Sequence, residues 1–328
     1  MDARLHGPSA AGVGLAFRAV RRQRLGDTVF RGLTEVFAIG VLALLGAVIA
    51  ALAAGALPAF RKFGLEFLVS ETWNPVKEVF GALPAIYGTL VTAVIAMMLA
   101  VPVAFGIAIF LTELCPPILR RPIGVLVELL AAIPSIIYGV WGLFVVAPVL
   151  QTTLQPALID TFGTVPVVGA LFQGPPYGLG VLTAGLILAV MVLPFIAAVI
   201  RDVFMTVPAM LRESAYGMGA TTAEVVRAIV IPHSRVGIVG GVMLGLGRAL
   251  GETMAVTFVI GNAHHIRASL LAPGTTISAT LANEFTEAVS DLYTSSLIAL
   301  GLILFVITFL VLAAANFMLW RLSAKEGA

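Results

Sequence analysis

Between Glu213 and Pro232 the chain reads ESAYGMGATTAEVVRAIVIP, a polar stretch set between two long apolar segments. Its local signals predict two short helices joined by a turn. Pro208 has a fixed backbone angle suited to a helix's first turn, and Gly217 and Gly219 supply the permissive backbone that ends the first helix. Thr221 and Glu224 stand three apart as a capping box for the second helix, and Pro232 closes it. Ordinary amphipathic loops carry turn and cap signals too, so the surroundings decide what this hairpin is.

Those surroundings are membrane. The 328 residues are 60% hydrophobic and 11% charged, with a mean hydropathy of +1.07. That leaves too little polar surface to cover a soluble globule, whereas lipid-facing helices need none. Windows of the roughly 20 residues that span hydrocarbon occur at 33–57, 85–111, 123–149, 178–200, 236–260 and 297–319, so the expectation is an all-α polytopic membrane protein with six transmembrane helices. Residues 1–32 form a basic N-terminal arm and residues 33–322 one membrane domain, with the polar hairpin at about 205–232 and no repeat of fixed period. The first apolar run is too long for a signal peptide and lacks a small-residue cleavage site, so it is expected to stay in place.

Basic residues mark one side of this arrangement. Arg18, Arg21, Arg22, Arg24 and Arg31 precede the first span; Arg120 and Arg121, then Arg201, Arg212, Arg227 and Arg235, and finally Arg321 and Lys325 fall on the same side. The positive-inside rule puts both termini and the hairpin in the cytoplasm. Arg61, Lys62 and Lys77 dissent from the first outer loop, offset by Glu66, Glu71 and Glu78. The net charge of +2 gives no reason to expect a nucleic-acid partner, and the single cysteine, Cys115, excludes an internal disulfide. The outer loops at 58–84, 150–177 and 261–296 are long, which suits a docking surface for an external partner. His264 and His265 lie in the last of them, but adjacent side chains point apart and no third ligand is near, so no metal site is expected.

The chemistry lies in the fifth span, GIVGGVMLGLGRALGETMAVTFVIG at 237–261. Arg248 and Glu252 fall near its middle, where a charged side chain costs about 2.5–3.5 kcal/mol. They are four apart, so on a continuous helix they share a face and pair. Such a pair supports a helix by only about 0.2–0.5 kcal/mol, and the Arg-before-Glu order is the weaker one. Helix support therefore does not account for them, and a polar pathway does; a buried ion pair that only fixes packing is the bland alternative. Gly241 and Gly245 continue the stripe and allow close helix approach. Arginine's planar fork suits an oxyanion, with Glu252 as counter-charge to prevent too tight a grip. Pro134 interrupts the third span, where Ser135 and Tyr138 either line the pathway or sit in a packed kink.

Two levels of family resemblance follow. The acidic-small-small triplet Glu213, Ser214, Ala215, then Gly219 and Pro232, resembles the ATPase coupling loop of binding-protein-dependent ABC importer permeases, with Ser214 where alanine is more usual. GRALGETMAV (247–256), AAIPSIIYG (131–139), FGALPAIYGTL (80–90), ANEF (282–285) and LILFVITF (302–309) resemble, more narrowly, the phosphate-specific ABC importer permeases of the PstC type. The resemblance runs from about residue 60 to the C-terminus and implies a type I importer (MetI-like) fold in a bacterial inner membrane. It further implies inorganic phosphate as substrate, a homologous PstA-type permease, a cytoplasmic ATPase dimer carrying ATP and magnesium, and an extracytoplasmic phosphate-binding protein. The chain itself has no GxxxxGK[ST] phosphate loop, and its lysines stand only at 62, 77 and 325, so it is not the ATPase. No catalytic residue and no cofactor of its own are expected.

Arginine chemistry alone does not separate phosphate from sulfate or molybdate. A secondary transporter or channel would also place charge at mid-membrane, but would not need the hairpin, and no inverted repeat is visible. An intramembrane hydrolase would need a nucleophile and base, or paired metal ligands, within the spans; no span holds a histidine, and the charged residues do not make such a set. The topology is directly testable: a reporter fused after Lys325 should be active only as a cytoplasmic reporter, and one near Ala272 only as an external one. The reverse at either position breaks the six-span arrangement.

Overall fold

The computed structural model describes the backbone of residues 10–166 and 168–326 and the side chains of residues 27–166 and 168–320. Arg18, Arg21, Arg22, Arg24, Arg321 and Lys325 fall outside the described side chains, as do residues 1–9 of the basic arm. The chain divides into two compact units between Ala54 and Gly55. The first consists of the leading part of α1 (Ala10–Phe63), so the arm is helical from Ala10 onward. The second holds all the remaining elements.

In chain order these are α2 (Glu66–Val69), α3 (Leu83–Leu114), α4 (Pro117–Ala131), α5 (Ser135–Phe162), α6 (Val181–Met205), α7 (Ala209–Gly217), α8 (Thr222–His233), α9 (Arg235–Leu250), α10 (Met254–Thr257), α11 (Ile277–Glu284) and α12 (Asp291–Glu326). Among the described residues β-pairing is confined to one isolated bridge, Asn74 to Val79. Among the described residues five helices are long and apolar enough to cross a membrane, and α8 with α9, bent by 75°, makes a sixth if the pair is one span.

Two of the expected spans differ from their hydropathy windows. The apolar run at 123–149 is not one helix: α4 stops at Ala131, and the long helix is α5, reaching to Phe162. Pro134 is the cause. It caps α5 with ψ at 134°, lacks an amide to continue α4's ladder, and holds the residue before it away from helical geometry. Window averaging cannot see such a break, so the loop expected at 150–177 is half helix. The fifth span also breaks, since α9 ends at Leu250 and only the four residues of α10 follow. At 1.5 Å per residue the 16 residues of α9 reach about 24 Å, short of the roughly 30 Å of hydrocarbon.

Proline also explains a local widening of the helices. Four π turns occur among the described residues, at Phe110–Leu114, Gly142–Val146, Leu150–Leu154 and Val226–Val230. Each is followed two residues later by a proline, namely Pro116, Pro148, Pro156 and Pro232. A proline has no N–H to give and its ring crowds the carbonyl four residues back, and the wider turn relieves both.

Small residues set how the spans meet. Ala93, Ala96, Ala100, Ala104 and Ala108 form a buried stripe along α3, which packs lengthwise on α6. Without a hydrophobic driving force between helices in lipid, such close backbone approach is the main source of packing. On α9 the equivalent stripe is Gly237, Gly241 and Gly245, which face Val203, Val199 and Ile196 of α6. A Cβ at Gly245 would stand 2.5 Å from Ile196 Cγ1, whereas one at Gly240 meets nothing within 4 Å. Gly245→Val should therefore lower thermal stability by about 1–3 kcal/mol through overpacking. Gly240→Ala should be neutral or raise it by up to about 1 kcal/mol. Melting temperatures of the two purified variants check this contrast, and equal effects would remove the α6–α9 contact as its cause.

Candidate functional site

The two broken spans meet. Gly139, in the first turns of α5, lies against α10: a Cβ there would stand 3.1 Å from both the Ala255 Cα and the Met254 carbonyl oxygen, and 2.8 Å from the Phe258 ring. Only glycine lets α5 come this close. Each break carries its own support. Tyr138, buried at 8% exposure, donates from its hydroxyl to the Leu130 carbonyl at 2.8 Å, tying α5 back across the Pro134 break to α4. Glu252 Oε1 accepts from the Ala255 amide at 3.1 Å, satisfying a free donor in the first turn of α10.

This arrangement corrects the expected Arg248–Glu252 pair. Arg248 lies in the last turn of α9, Glu252 follows the helix end, and no ion pair joins them among the described residues. The helix stops because Gly251, at φ −91° and ψ 2°, leaves helical geometry before a further turn forms, so the four-residue spacing no longer stacks the side chains. Arg248 is exposed, and its guanidinium carbon sits 5.6 Å from the centre of the Phe195 ring on α6. It makes no hydrogen bond or ion pair among the described residues, yet its charge reaches the Tyr138 hydroxyl. Ser135, half-buried, opens α5 one turn before Gly139. Arg248, Tyr138 and Glu252 thus gather where the two spans break. Tyr138 spends its hydroxyl on packing and Arg248 keeps its donors free.

At the end of the bundle where α6 gives way to α7, the polar hairpin has the expected form. Pro208 caps α7, Gly219 turns the chain at φ 91°, and the Thr221–Glu224 capping box closes in both directions. Glu213 and Ser214 are exposed on α7 and Ala215 is buried beneath them. Pro232 sits in the last turn of α8, after which the chain bends into α9. What sequence reasoning did not supply is the anchor of α7. Arg212 Nη2 lies 3.2 Å from Glu113 Oε1 at the end of α3, and Arg212 also donates to the Phe204 and Val207 carbonyls. Glu113's side chain is only 5% exposed, so removing either partner strands a buried charge, at about 3–5 kcal/mol. Glu128 finds its partner in Arg201, at 2.7 Å. Both pairs join residues far apart in sequence, and no local spacing announces them.

At the opposite end of α3, Glu284 organises a second cluster. Its Oε2 accepts from Trp73 Nε1 at 2.7 Å and the Tyr293 hydroxyl at 2.6 Å, and its Oε1 is 2.7 Å from His264 Nε2. The His264 ring stacks on Trp73 at 5.2 Å. His264 is therefore a partner of a carboxylate that ties the loops before α3 and after α10 to α11 and α12. Burial alone would raise the Glu284 carboxyl, but the hydrogen bonds from His264 and Tyr293, with His264's field, outweigh it and hold it below the usual carboxylate range.

Residues 104–322 match the family described as binding-protein-dependent transport system inner membrane component. A protein of Mesorhizobium japonicum described as phosphate transport system permease protein PstC is 65% identical over 309 residues, covering 94% of each chain. One of the same description from Pasteurella multocida is 56% identical over 92% of this chain and 94% of its own. Among solved structures, an inward-facing MetNI methionine ABC transporter chain matches with a TM-score of 0.57 at 16% identity, over 76% of this chain and 99% of that one. A chain of a bacterial alginate ABC transporter solved with its pentasaccharide-bound periplasmic protein matches with a TM-score of 0.56 at 16% identity, over 93% and 97%. At these identities the structural likeness is one of fold.

The Glu284 cluster yields a pH prediction. A carboxyl held low in the folded state contributes stability that is complete above its ordinary value, about 4.3, and is lost as the pH falls through the folded value. Glu284→Gln should cost about 1.5–3 kcal/mol at neutral pH, because three donors lose an anionic acceptor. The difference in melting temperature between wild type and variant should shrink as the pH drops below about 4.3. A difference constant with pH would show that the carboxylate charge does not hold the cluster.

Proposed function

The chain belongs to the family of binding-protein-dependent transport system inner membrane components, as a PstC-type permease subunit of an ATP-driven phosphate importer, and from that premise we propose how its residues carry the substrate. It is a multi-pass membrane protein and not an enzyme by itself, since ATP is hydrolysed by a separate subunit. An ATPase and a substrate-binding protein complete the importer. In our reading the second permease is a homologous PstA-type chain, ATP and magnesium bind only to a cytoplasmic ATPase dimer, and both termini of the present chain are cytoplasmic.

Inorganic phosphate crosses by alternating access. Closure of the ATPase dimer pushes on α7 at Glu213, Ser214 and Ala215, with Gly219 and Pro232 bounding the rigid hairpin. The Arg212–Glu113 pair passes the displacement to α3, and the helices swing between inward- and outward-open forms. Arg248 meets phosphate at the junction of the two broken spans. What supports this reading is the state of Arg248: a cation at the end of a discontinuous span, exposed, with no acceptor among the described residues. Breaks in membrane helices are tolerated where they are covered by protein or line a water-filled cavity, and they commonly mark a substrate path. Glu252 acts here as the cap of α10, positioning the break, and not as a counter-charge on Arg248. Ser135 adds a hydroxyl beside the same junction. Phosphate over sulfate or molybdate rests on the relatives' descriptions and not on the arginine.

Radiolabelled phosphate uptake in proteoliposomes containing the whole importer tests the assignment. Arg248→Ala should reduce uptake roughly ten- to hundredfold, the value of a charge-assisted hydrogen bond, while the ATPase still co-purifies. Arg248→Lys should restore little, because a point charge lacks the bidentate fork. Glu252→Gln, whose amide oxygen still caps α10, should transport better than Glu252→Ala. Wild-type uptake by Arg248→Ala would end the pathway reading, and joint loss of uptake and assembly would return Arg248 to a packing role.

A further inference from the structure

A pocket of about 380 Å³ lies between α4 and α6, at the α7 end of the bundle and away from the Arg248 junction. Arg120, Arg121 and Val125 line it from one face of α4, and Arg201 and Met205 from α6. The three cations are not equivalent. Arg201 is spent: its Nη2 is 2.7 Å from both Glu128 Oε1 and Asp202 Oδ1. It reaches α4 because Gly124 has no side chain, as a Cβ there would stand 2.9 Å from Arg201 Nη1. Among the described residues Arg120 donates only to the neutral Thr112 carbonyl at 2.8 Å, which leaves its charge without a carboxylate partner there. Arg121 makes no hydrogen bond or ion pair among the described residues. Three arginines against two carboxylates leave one net positive charge, and both carboxylates lie on Arg201. The open charge is at Arg120 and Arg121.

We propose that this pocket binds the phosphodiester headgroup of an anionic phospholipid. The shared chemistry is an oxyanion on paired guanidinium groups, which free phosphate would also offer, but two observations favour the lipid. A phosphodiester carries one negative charge, matching the net charge of the pocket, whereas a phosphate dianion would be opposed by Glu128 at the rim. The wall beside the arginines is apolar at Val125 and Met205, and the flanks of α4 expose Ile118, Leu119, Leu126 and Leu129. A helix with apolar flanks and a basic face sits at headgroup depth, where acyl chains meet the first and phosphates the second. The leaflet rests on the permease reading, which places the α7 end in the cytoplasm; the headgroup chemistry does not.

The complete importer, with its partner permease and ATPase, should be passed through nanodiscs of mixed phosphatidylglycerol and phosphatidylcholine, and the retained lipid weighed by native mass spectrometry. Wild type should retain phosphatidylglycerol preferentially, and Arg121→Gln should lower that preference roughly fivefold, with Arg120→Gln adding a similar factor. Arg121→Lys should keep it, since a surface phosphodiester reads charge. Millimolar inorganic phosphate should not displace the lipid. Undiminished preference in the double variant, or displacement by phosphate, overturns the proposal. Loss of the ATPase with lipid retention unchanged assigns the pocket to a protein contact and overturns it equally. Phosphate uptake by wild type in proteoliposomes tests the permease reading separately, so the failure of one is not mistaken for the failure of the other.

Discussion

A backbone amide or carbonyl inside hydrocarbon has no water to turn to, and every irregular feature of this chain is shaped by that demand. Where α4 gives way to α5, the Tyr138 hydroxyl joins the Ile133 amide as a donor to the Leu130 carbonyl. Where α9 gives way to α10, Glu252 takes the Ala255 amide. Where α6 begins, the amides of Gly180, Val181 and Leu182 donate to the carbonyls of Val259, Ala272 and Leu270, so the chain following one break caps the start of another helix. The first two breaks are closed by side chains 8 and 3 residues away and the start of α6 by a distant segment, and Gly139 allows the first two to be adjacent.

The same demand ranks the arginines. Arg212 has Glu113 and two carbonyls, Arg201 has two carboxylates, and both serve to fix one helix to another. Among the described residues Arg248 is supported by the Phe195 ring, which places it without consuming its donors. An arginine that is positioned but not satisfied is suited to a passing anion, because each hydrogen bond it makes to cargo replaces water and not a protein partner. A cation already bonded on both sides would have to give up those bonds first.

How much of this was legible in the sequence depends on the range of the interaction. Composition fixed the membrane setting, and Pro208, Gly219 and the Thr221–Glu224 box wrote the hairpin within the short stretch 208–224, where the structure has it. The third span was misplaced because hydropathy is an average and Pro134 acts at a point. The Arg248–Glu252 spacing misled because i,i+4 geometry presupposes a helix that Gly251 interrupts, a signal present in the sequence but overruled by the surrounding apolar run. Glu113 with Arg212, Glu128 with Arg201, and Glu284 with Trp73 all join positions separated by 73 or more residues. Only tertiary contact reveals them. His264, read as a loop residue without a role, belongs to the last of these clusters.

The alanine stripe on α3 has a mechanical corollary. Alanine has no rotamers to lose, so α3 contributes its stripe to the α3–α6 contact without side-chain entropy cost and with no alternative arrangements of its own, leaving rotamer choice to the larger side chains of α6. An interface of leucines can creep by changing rotamers one at a time, absorbing a small push as internal rearrangement. On the α3 side this one has less such give, so under the proposed coupling a displacement of α7 carried by Arg212 and Glu113 would meet a contact that absorbs less of it in rearranging side chains.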